Sequence, residues 1–146
     1  MHRNGPIALW LHGMVEYLAA AACFFAPFVL DFGSDAATYF SIAAGVAILL
    51  VAATTDGPAS IVSHLPIGFH VLLDYVVALA FIAAPFVFSF SDERAPTAFF
   101  IGLGVLHLLV TVGTRFYGDD GAHGISPLAA STSVDVESGQ HTVLDD

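Results

Sequence analysis

The chain has 146 residues, of which 57% are hydrophobic and only 11% are charged. Its mean hydropathy of +0.82 is too apolar for a soluble domain, so the composition indicates an integral membrane protein. The formal net charge of −10 comes from 13 acidic residues against three arginines. Without lysine, the chain lacks the positive surface that nucleic-acid binding requires, and we expect the lipid bilayer rather than a nucleic acid as its partner.

Four apolar segments are long enough to cross a bilayer, since a hydrocarbon core of about 30 Å needs roughly 20 helical residues. They lie at about 7–30, 36–54, 67–90 and 95–115. Short polar turns follow the first and third segments, so each of these forms an antiparallel hairpin with its successor. The sequence therefore predicts an all-α fold, an integral membrane four-helix bundle made of two tandem helical hairpins.

The two hairpins are copies of one sequence unit. A fixed period of this kind indicates a structural unit that is used twice. We therefore divide the chain into a first two-helix repeat at 1–58, a second at 59–116 and a disordered acidic tail at 117–146, which is too polar to form a core. The residues aligned by an offset of 58, or of 59 towards the end of the repeat, include His12 and His70, Glu16 and Asp74, Tyr17 and Tyr75, Pro27 and Pro85, and Thr55 and Thr114.

Two further patterns concern the shape and packing of the spans. An interior proline removes a backbone hydrogen bond, so we predict helix kinks at Pro27 and Pro85, near the ends of the first and third spans. The second span carries Ser41 and Gly45, a small-xxx-small spacing that lets helices approach closely in lipid. This spacing predicts a packing seam between the hairpins, with a dimerisation face and hence a homo-oligomer as the alternative.

A two-helix unit with a small residue, a proline and an aromatic residue near the end of its first helix resembles the SPW-repeat integral membrane proteins of prokaryotes. The triplets are Ala26-Pro27-Phe28 and Ala84-Pro85-Phe86, where that family has Ser-Pro-Trp. The resemblance covers about 7–115. It implies a multi-pass protein of a prokaryotic inner (plasma) membrane, and it brings no established activity.

The arginines predict an orientation in that membrane. An even number of spans places both termini and the linker between the repeats on one side. Arg3 and Arg115 flank that side, whereas Arg94 lies on the other. Because cytoplasmic loops carry an excess of Lys and Arg, this distribution predicts cytoplasmic termini.

The strongest candidate site consists of two histidine–carboxylate pairs, His12 with Glu16 and His70 with Asp74. Residues four apart share a helix face, and ionisable side chains inside a span usually face the bundle interior and find polar partners there. Because the repeats run in the same direction, a pseudo-twofold axis along the membrane normal would bring the two pairs together. His107, whose repeat counterpart is an isoleucine, is the natural third ligand if the site holds a metal ion.

Three interpretations of this site stay open. In the first, the side chains form a hydrogen-bonded clasp between the first and third helices of a non-enzymatic structural or assembly protein. In the second, they bind a metal ion or haem, since two histidines and two carboxylates suit zinc or iron and facing histidines suit haem. In the third, they form the path of a small proton or ion transporter. We favour the clasp, with no cofactor and no enzyme activity, because the chain contains no nucleophile elbow, phosphate loop or Cys-x-x-Cys motif.

Overall fold

A computed structural model describes residues 5–116 of the chain, and the predicted acidic tail at 117–146 lies outside these residues. The helices are α1 (Leu9–Val29), α2 (Asp35–Thr54), α3 (Ile67–Val87) and α4 (Arg94–Gly113), and the two short strands are β1 (Ile7–Ala8) and β2 (Thr114–Arg115). Each helix has 20 or 21 residues and is apolar enough to span a membrane. At about 1.5 Å per residue, each is also about 30 Å long.

The helices pair as the sequence predicts. Most contacts between helices join α1 to α2 and α3 to α4, and far fewer join one hairpin to the other. The prediction of a four-helix bundle made of two tandem hairpins is therefore confirmed. The residue boundaries of the two repeats stay predictions.

Helices α1 and α3 end in the same way. Both run through their proline and end two residues later, so the helix does not stop at the proline itself. Beyond each end, Asp31 and Ser89 adopt left-handed backbone conformations with φ of 50° and 58°. The amide of the next residue, a phenylalanine, then donates to the carbonyl of Pro27 at 3.0 Å or of Pro85 at 2.9 Å. These bonds close each helix with a Schellman-type turn, while the kinks at the two prolines stay predictions.

The small residues of α2 and α4 lie inside each hairpin. A Cβ atom added to Gly45 would lie 3.1 Å from the carbonyl oxygen of Ala20 in α1. A Cβ atom added to Gly104 would lie 2.9 Å from the carbonyl oxygen of Ala78 in α3. The prediction of a small-residue seam between the hairpins is therefore wrong. The short turns force the closest helix approach within each hairpin, and the small residues serve that contact.

The two hairpins meet at both ends of the bundle through different chemistry. At the end that carries the short turns, Phe100 is fully buried, and its ring centroid lies 5.2–6.1 Å from those of five other phenylalanines. At the opposite end, Ile7 pairs in parallel with Thr114, and Thr55 pairs in parallel with Leu65. The segment before the first helix of each repeat is thus paired with the segment after the second helix of the other repeat.

The outward surface of the bundle is apolar and its interior holds the polar groups. Large side chains such as Leu18, Phe28 and Leu79 are more than half exposed. The buried polar side chains within residues 5–116 belong to one serine, three threonines, three histidines and two acidic residues: Ser41, Thr55, Thr111, Thr114, His12, His70, His107, Glu16 and Asp74. This distribution suits a lipid surrounding, in which apolar side chains face outward and polar groups need partners inside the protein.

Candidate functional site

The buried ionisable side chains of α1 and α3 converge at the strand end of the bundle. Each helix contributes a histidine and, one turn later, a carboxylate, and all four residues are at most 3% exposed. One ligand atom from each residue lies within 4.8 Å of those of the other three. We name these four residues the central cluster: His12, Glu16, His70 and Asp74. The structure thus brings together the two pairs that the sequence singles out.

The contacts within the central cluster cross from one hairpin to the other. The Nε2 atom of His12 lies 3.2 Å from Oδ2 of Asp74 but 3.9 Å from Oε1 of Glu16 on its own helix. The Nε2 atom of His70 lies 3.4 Å from Glu16 Oε1 and 3.4 Å from Asp74 Oδ2. The two Nε2 atoms are 3.5 Å apart. Each histidine is therefore at least as close to the carboxylate of the other hairpin as to its own.

Two threonines, which we name the threonine pair, hold the outer nitrogen of each histidine. The Nδ1 atom of His12 lies 2.9 Å from Oγ1 of Thr114, and that of His70 lies 2.8 Å from Oγ1 of Thr55. These threonines are the C-caps of α4 and α2, so each histidine is again held by the other hairpin.

The hydrogen bonds of the threonine pair determine which ring nitrogen carries the proton. Each hydroxyl donates to the carbonyl oxygen four residues earlier, at 2.6 Å. Because its only proton is used in that bond, each hydroxyl oxygen accepts from the Nδ1–H group of its histidine. In a neutral ring, Nε2 is then an acceptor, and it points into the central cluster.

The middle of the central cluster consequently contains acceptor atoms on every side. Two Nε2 lone pairs and two carboxylate oxygens face one another there. Within residues 5–116, Asp74 Oδ2 has no hydrogen-bond partner, although it lies 3.2 Å from His12 Nε2. Acceptors buried in this way cost free energy unless a proton or a cation lies between them.

His107 and Phe116 complete the surroundings of the central cluster. The Nε2 atom of His107 lies 3.5 Å from Oδ1 of Asp74, the carboxylate oxygen that does not face the other two histidines. His107 therefore lies behind Asp74 rather than among the four converging atoms. The ring of Phe116 lies 5.2 Å from that of His12 and 6.4 Å from that of His70, and it covers the site. The proposal of His107 as a third ligand stays a prediction.

Two cavities adjoin the site. A cavity of about 20 Å³ lies between the central cluster and the linker that joins the hairpins, and it has room for about one water molecule. A larger, apolar cavity of about 330 Å³ lies between α1 and α4 and reaches His107. The two facing histidines are 3.5 Å apart at Nε2, and the cavity of about 20 Å³ beside them has no room for a macrocycle. The metal and haem interpretations stay predictions.

Sequence reasoning did not assign a role to the threonine pair or to Phe116. Thr55 and Thr114 are aligned repeat positions, which is a signal that could have identified them. They lie at the very ends of the even-numbered spans, however, and their contacts depend on the pairing of segments from different repeats. A pattern within one repeat does not reveal such a pairing.

Four membrane-length helices, arranged as two repeated hairpins around a buried polar cluster, define a multi-pass membrane protein built from tandem two-helix repeats. A sequence model of the SPW repeat domain matches residues 10–114. This match covers most of the chain, which therefore belongs to the SPW repeat family, and the predicted resemblance is confirmed. No curated protein and no solved structure matches the chain.

Proposed function

We propose that this protein is a non-enzymatic structural protein of a prokaryotic inner membrane, in which the central cluster clasps the two hairpins together. One observation carries the proposal. Each histidine has a threonine and a carboxylate of the other hairpin among its nearest polar partners: Thr114 and Asp74 for His12, and Thr55 and Glu16 for His70, which lies equally close to Asp74 on its own helix. A polar network that crosses one interface in this reciprocal way is suited to holding that interface together.

The enclosure of the cluster supports a structural role over an enzymatic one. The four side chains are almost completely buried, Phe116 lies against both histidines, and the cavity that touches the cluster has room for about one water molecule. The larger cavity between α1 and α4 is lined by apolar side chains and reaches His107 but none of the four cluster residues. A substrate would need a larger opening towards the reacting groups. The same enclosure favours a structural role over ion transport, because a path through the bundle would need water on both sides of the cluster. The prokaryotic inner membrane is the location that the family resemblance implies.

The clasp can be tested by removing one of its histidines. We expect His70→Leu to lower the free energy of unfolding by about 1–3 kcal/mol, because the interhelical hydrogen bond to Thr55 contributes roughly 0.6–2 kcal/mol and a proton or cation shared between His70 Nε2 and the carboxylates is lost with it. The measurement is the thermal melting temperature of the full chain in detergent, which should fall by several degrees. His64→Leu is the matched control, because His64 lies exposed in the linker.

The control should melt close to the wild-type temperature. The aromatic contacts around Phe100, at the other end of the bundle, should keep the His70→Leu variant folded at low temperature. Circular dichroism at low temperature verifies this. Equal melting temperatures for the wild type and His70→Leu would contradict the clasp.

A further inference from the structure

We infer that the central cluster binds one divalent transition-metal ion of the zinc class, which lies between the two hairpins and closes the clasp. This inference rests on the proposed function for its purpose, because the ion would act as the bond between the repeats. It rests on separate observations for the site itself. These are the spacing of the four ligand atoms, the direction of the histidine lone pairs and the balance of charge.

The spacing of the ligand atoms fits tetrahedral coordination. Zinc binds histidine nitrogen and carboxylate oxygen at about 2.0–2.2 Å, and a tetrahedron of that size places neighbouring ligand atoms about 3.3–3.6 Å apart. Four of the atom pairs in the central cluster lie 3.2, 3.4, 3.4 and 3.5 Å apart. The pair formed by His12 Nε2 and Glu16 Oε1 is wider, at 3.9 Å. A small movement of the Glu16 side chain would bring it into the same range.

The threonine pair prepares both histidines to act as ligands. A histidine that binds a metal through Nε2 usually donates its Nδ1–H group to a fixed acceptor, which sets the ring orientation and the tautomer. Thr114 and Thr55 provide that acceptor, at 2.9 Å for His12 and 2.8 Å for His70. The lone pair of each Nε2 atom therefore points towards the two carboxylates. His107 Nε2 lies 3.5 Å from the Asp74 oxygen that is turned away from the site and, among residues 5–116, has no hydrogen-bond partner.

The unpaired oxygen of Asp74 is an independent sign of a missing positive group. Among residues 5–116, Oδ2 has no hydrogen-bond partner, and Asp74 is only 2% exposed. If both carboxylates are ionised beside two neutral imidazoles, the site carries a charge of about −2, which is costly inside a membrane. One divalent cation would make the site neutral and give every converging acceptor a partner.

The donor set also limits the class of metal. Imidazole suits zinc, copper, iron and nickel, whereas magnesium and calcium prefer sites made of oxygen atoms alone. Four protein ligands fill a tetrahedral shell and leave no open position, which is the pattern of a structural zinc site rather than a catalytic one. The inferred metal therefore agrees with a non-enzymatic role.

The test is zinc binding by the full-length protein in detergent. The protein is stripped with a chelator, equilibrated with Zn²⁺, freed of excess metal and measured for zinc by mass spectrometry. We expect about one zinc ion per chain in the wild type and a loss of at least ten-fold in the His12→Ala, His70→Ala double variant. His64→Ala, in the exposed linker, should retain the wild-type zinc content.

Folding of the variants does not limit this test, because the wild type gives a result by itself. A folded wild type that retains no zinc would overturn the inference. So would a double variant that retains as much zinc as the wild type. Glu16→Gln, which preserves the size of the side chain but removes its charge, should lower the zinc affinity at least ten-fold, and an unchanged affinity would also count against the site.

A second variant tests the positioning role of the threonine pair. Thr55→Val removes the acceptor for His70 but leaves all four ligands, and loss of such an outer contact weakens metal binding by about 10–100-fold. Thr54→Val is the control, because the Thr54 hydroxyl bonds only to carbonyls of its own helix. Zinc affinity, measured by competition with a chelator, should fall in the first variant alone. Equal affinities in the two variants would overturn the assignment.

The outcomes separate this inference from the proposed function. Stoichiometric zinc, together with a melting temperature that neither chelation nor His70→Leu lowers, would keep the metal site and reject the clasp. A His70→Leu variant that melts early, in a protein that binds no zinc, would keep the clasp and reject the metal. Zinc binding that raises the melting temperature of the wild type, but not that of the double variant, would support both.

Discussion

The first repeat provides a hydrogen-bond donor for the backbone carbonyl that its proline frees. Pro27 has no N–H group to bond the carbonyl oxygen of Cys23, and the Ser41 hydroxyl from α2 donates to that oxygen at 2.7 Å. In the second repeat, Phe100 takes the position of Ser41 and packs against Phe81, with ring centroids 5.7 Å apart. At this aligned position, Ser41 of the first repeat thus gives the Cys23 carbonyl a hydrogen bond. Phe100 of the second repeat contributes to the aromatic contact between the hairpins.

Each triplet that stands in place of Ser-Pro-Trp combines one buried position with one exposed position. Ala26 and Ala84 are buried, at 7% and 1% exposure, so a small residue fits where the helix packs. Phe28 and Phe86 are exposed, at 72% and 64%, and face outward. Tryptophan near the end of a span is typical of the membrane interface, and phenylalanine keeps an apolar ring there but has neither the size nor the N–H group of the indole.

The left-handed residue after α3 leads to a prediction about a single position. Ser89 has a φ of 58°, a conformation that costs a residue with a side chain roughly 1–2 kcal/mol and costs glycine little. We expect Ser89→Gly to raise the free energy of unfolding by about 0.5–1 kcal/mol, after allowing for the greater freedom of glycine in the unfolded chain. Thermal melting of the full chain in detergent measures the change.

Ser91→Gly is the matched control for this prediction. Ser91 is exposed in the same turn, and its φ is not positive. Glycine there should leave the stability unchanged or lower it slightly. If both variants melted at the same temperature, the left-handed residue would not be a source of strain.

At the scale of single residues, the sequence predicted the members of the cluster better than their contacts. The offset between repeats identified both histidine–carboxylate pairs, and a pseudo-twofold arrangement was enough to expect them to meet. It could not show that His12 lies closer to Asp74 than to Glu16, because that depends on how the side chains turn at the interface. It also missed the threonine pair, whose contacts lie between segments that are distant in the chain.

At the scale of the helix, hairpin packing depends on one glycine in each even-numbered span. A Cβ atom at Gly104 would lie 2.8 Å from Ile82 Cγ1, 2.9 Å from the Ala78 carbonyl oxygen and 3.0 Å from Phe81 Cβ. We expect Gly104→Ala to lower the free energy of unfolding by about 1–3 kcal/mol, because α3 and α4 would have to move apart. The melting temperature of the full chain measures this loss.

The control lies two residues earlier on the same helix. A Cβ atom at Gly102 would meet nothing within 4 Å. Because alanine favours a helix by about 0.8–1 kcal/mol over glycine, Gly102→Ala should leave the stability unchanged or raise it. Two variants with the same chemical change should therefore shift in opposite directions. A parallel shift would contradict close packing at Gly104.

The sequence predicted the existence of the helices more accurately than their ends. Span length and hydropathy located all four helices, because a segment of about twenty consecutive apolar residues is typical of a membrane-spanning helix. The predicted first and third spans extend one and three residues past the C-terminal ends of α1 and α3, because Leu30, Phe88 and Phe90 are apolar but belong to the closing turn. Hydropathy does not distinguish an apolar helix from an apolar cap.

At the scale of the whole molecule, the two hairpins form a bundle with one polar and one aromatic junction. The polar junction contains the central cluster and the paired segments of the two repeats: β1 pairs with β2, and Thr55 pairs with Leu65. The aromatic junction surrounds Phe100. Between them, direct contact between the hairpins is sparse, and the cavity of about 330 Å³ lies there. The two hairpins are therefore joined at both ends of the bundle, by polar contacts at one end and by aromatic packing at the other.

The position of the polar junction within the membrane follows from the helix directions. His12 and His70 lie in the first turns of α1 and α3, so the central cluster is near the side that carries the linker between the repeats. Arg115 lies on that side and Arg3 precedes α1 in the sequence, whereas Arg94 lies at the opposite end of α4. By the excess of positive residues in cytoplasmic segments, we propose that the linker side faces the cytoplasm. A metal ion would then enter the cluster from the cytoplasm.

Cysteine labelling in intact cells tests this orientation. In a Cys23→Ala background, Ser91→Cys, in the exposed turn between α3 and α4, should react with a membrane-impermeant maleimide added outside the cells. Ser63→Cys, exposed in the linker, should react only after lysis, because it lies on the opposite side of the bilayer. Labelling of Ser63→Cys in intact cells and protection of Ser91→Cys would invert the orientation. The central cluster would then load its metal from outside the cell, where the supply of zinc differs from that of the cytoplasm.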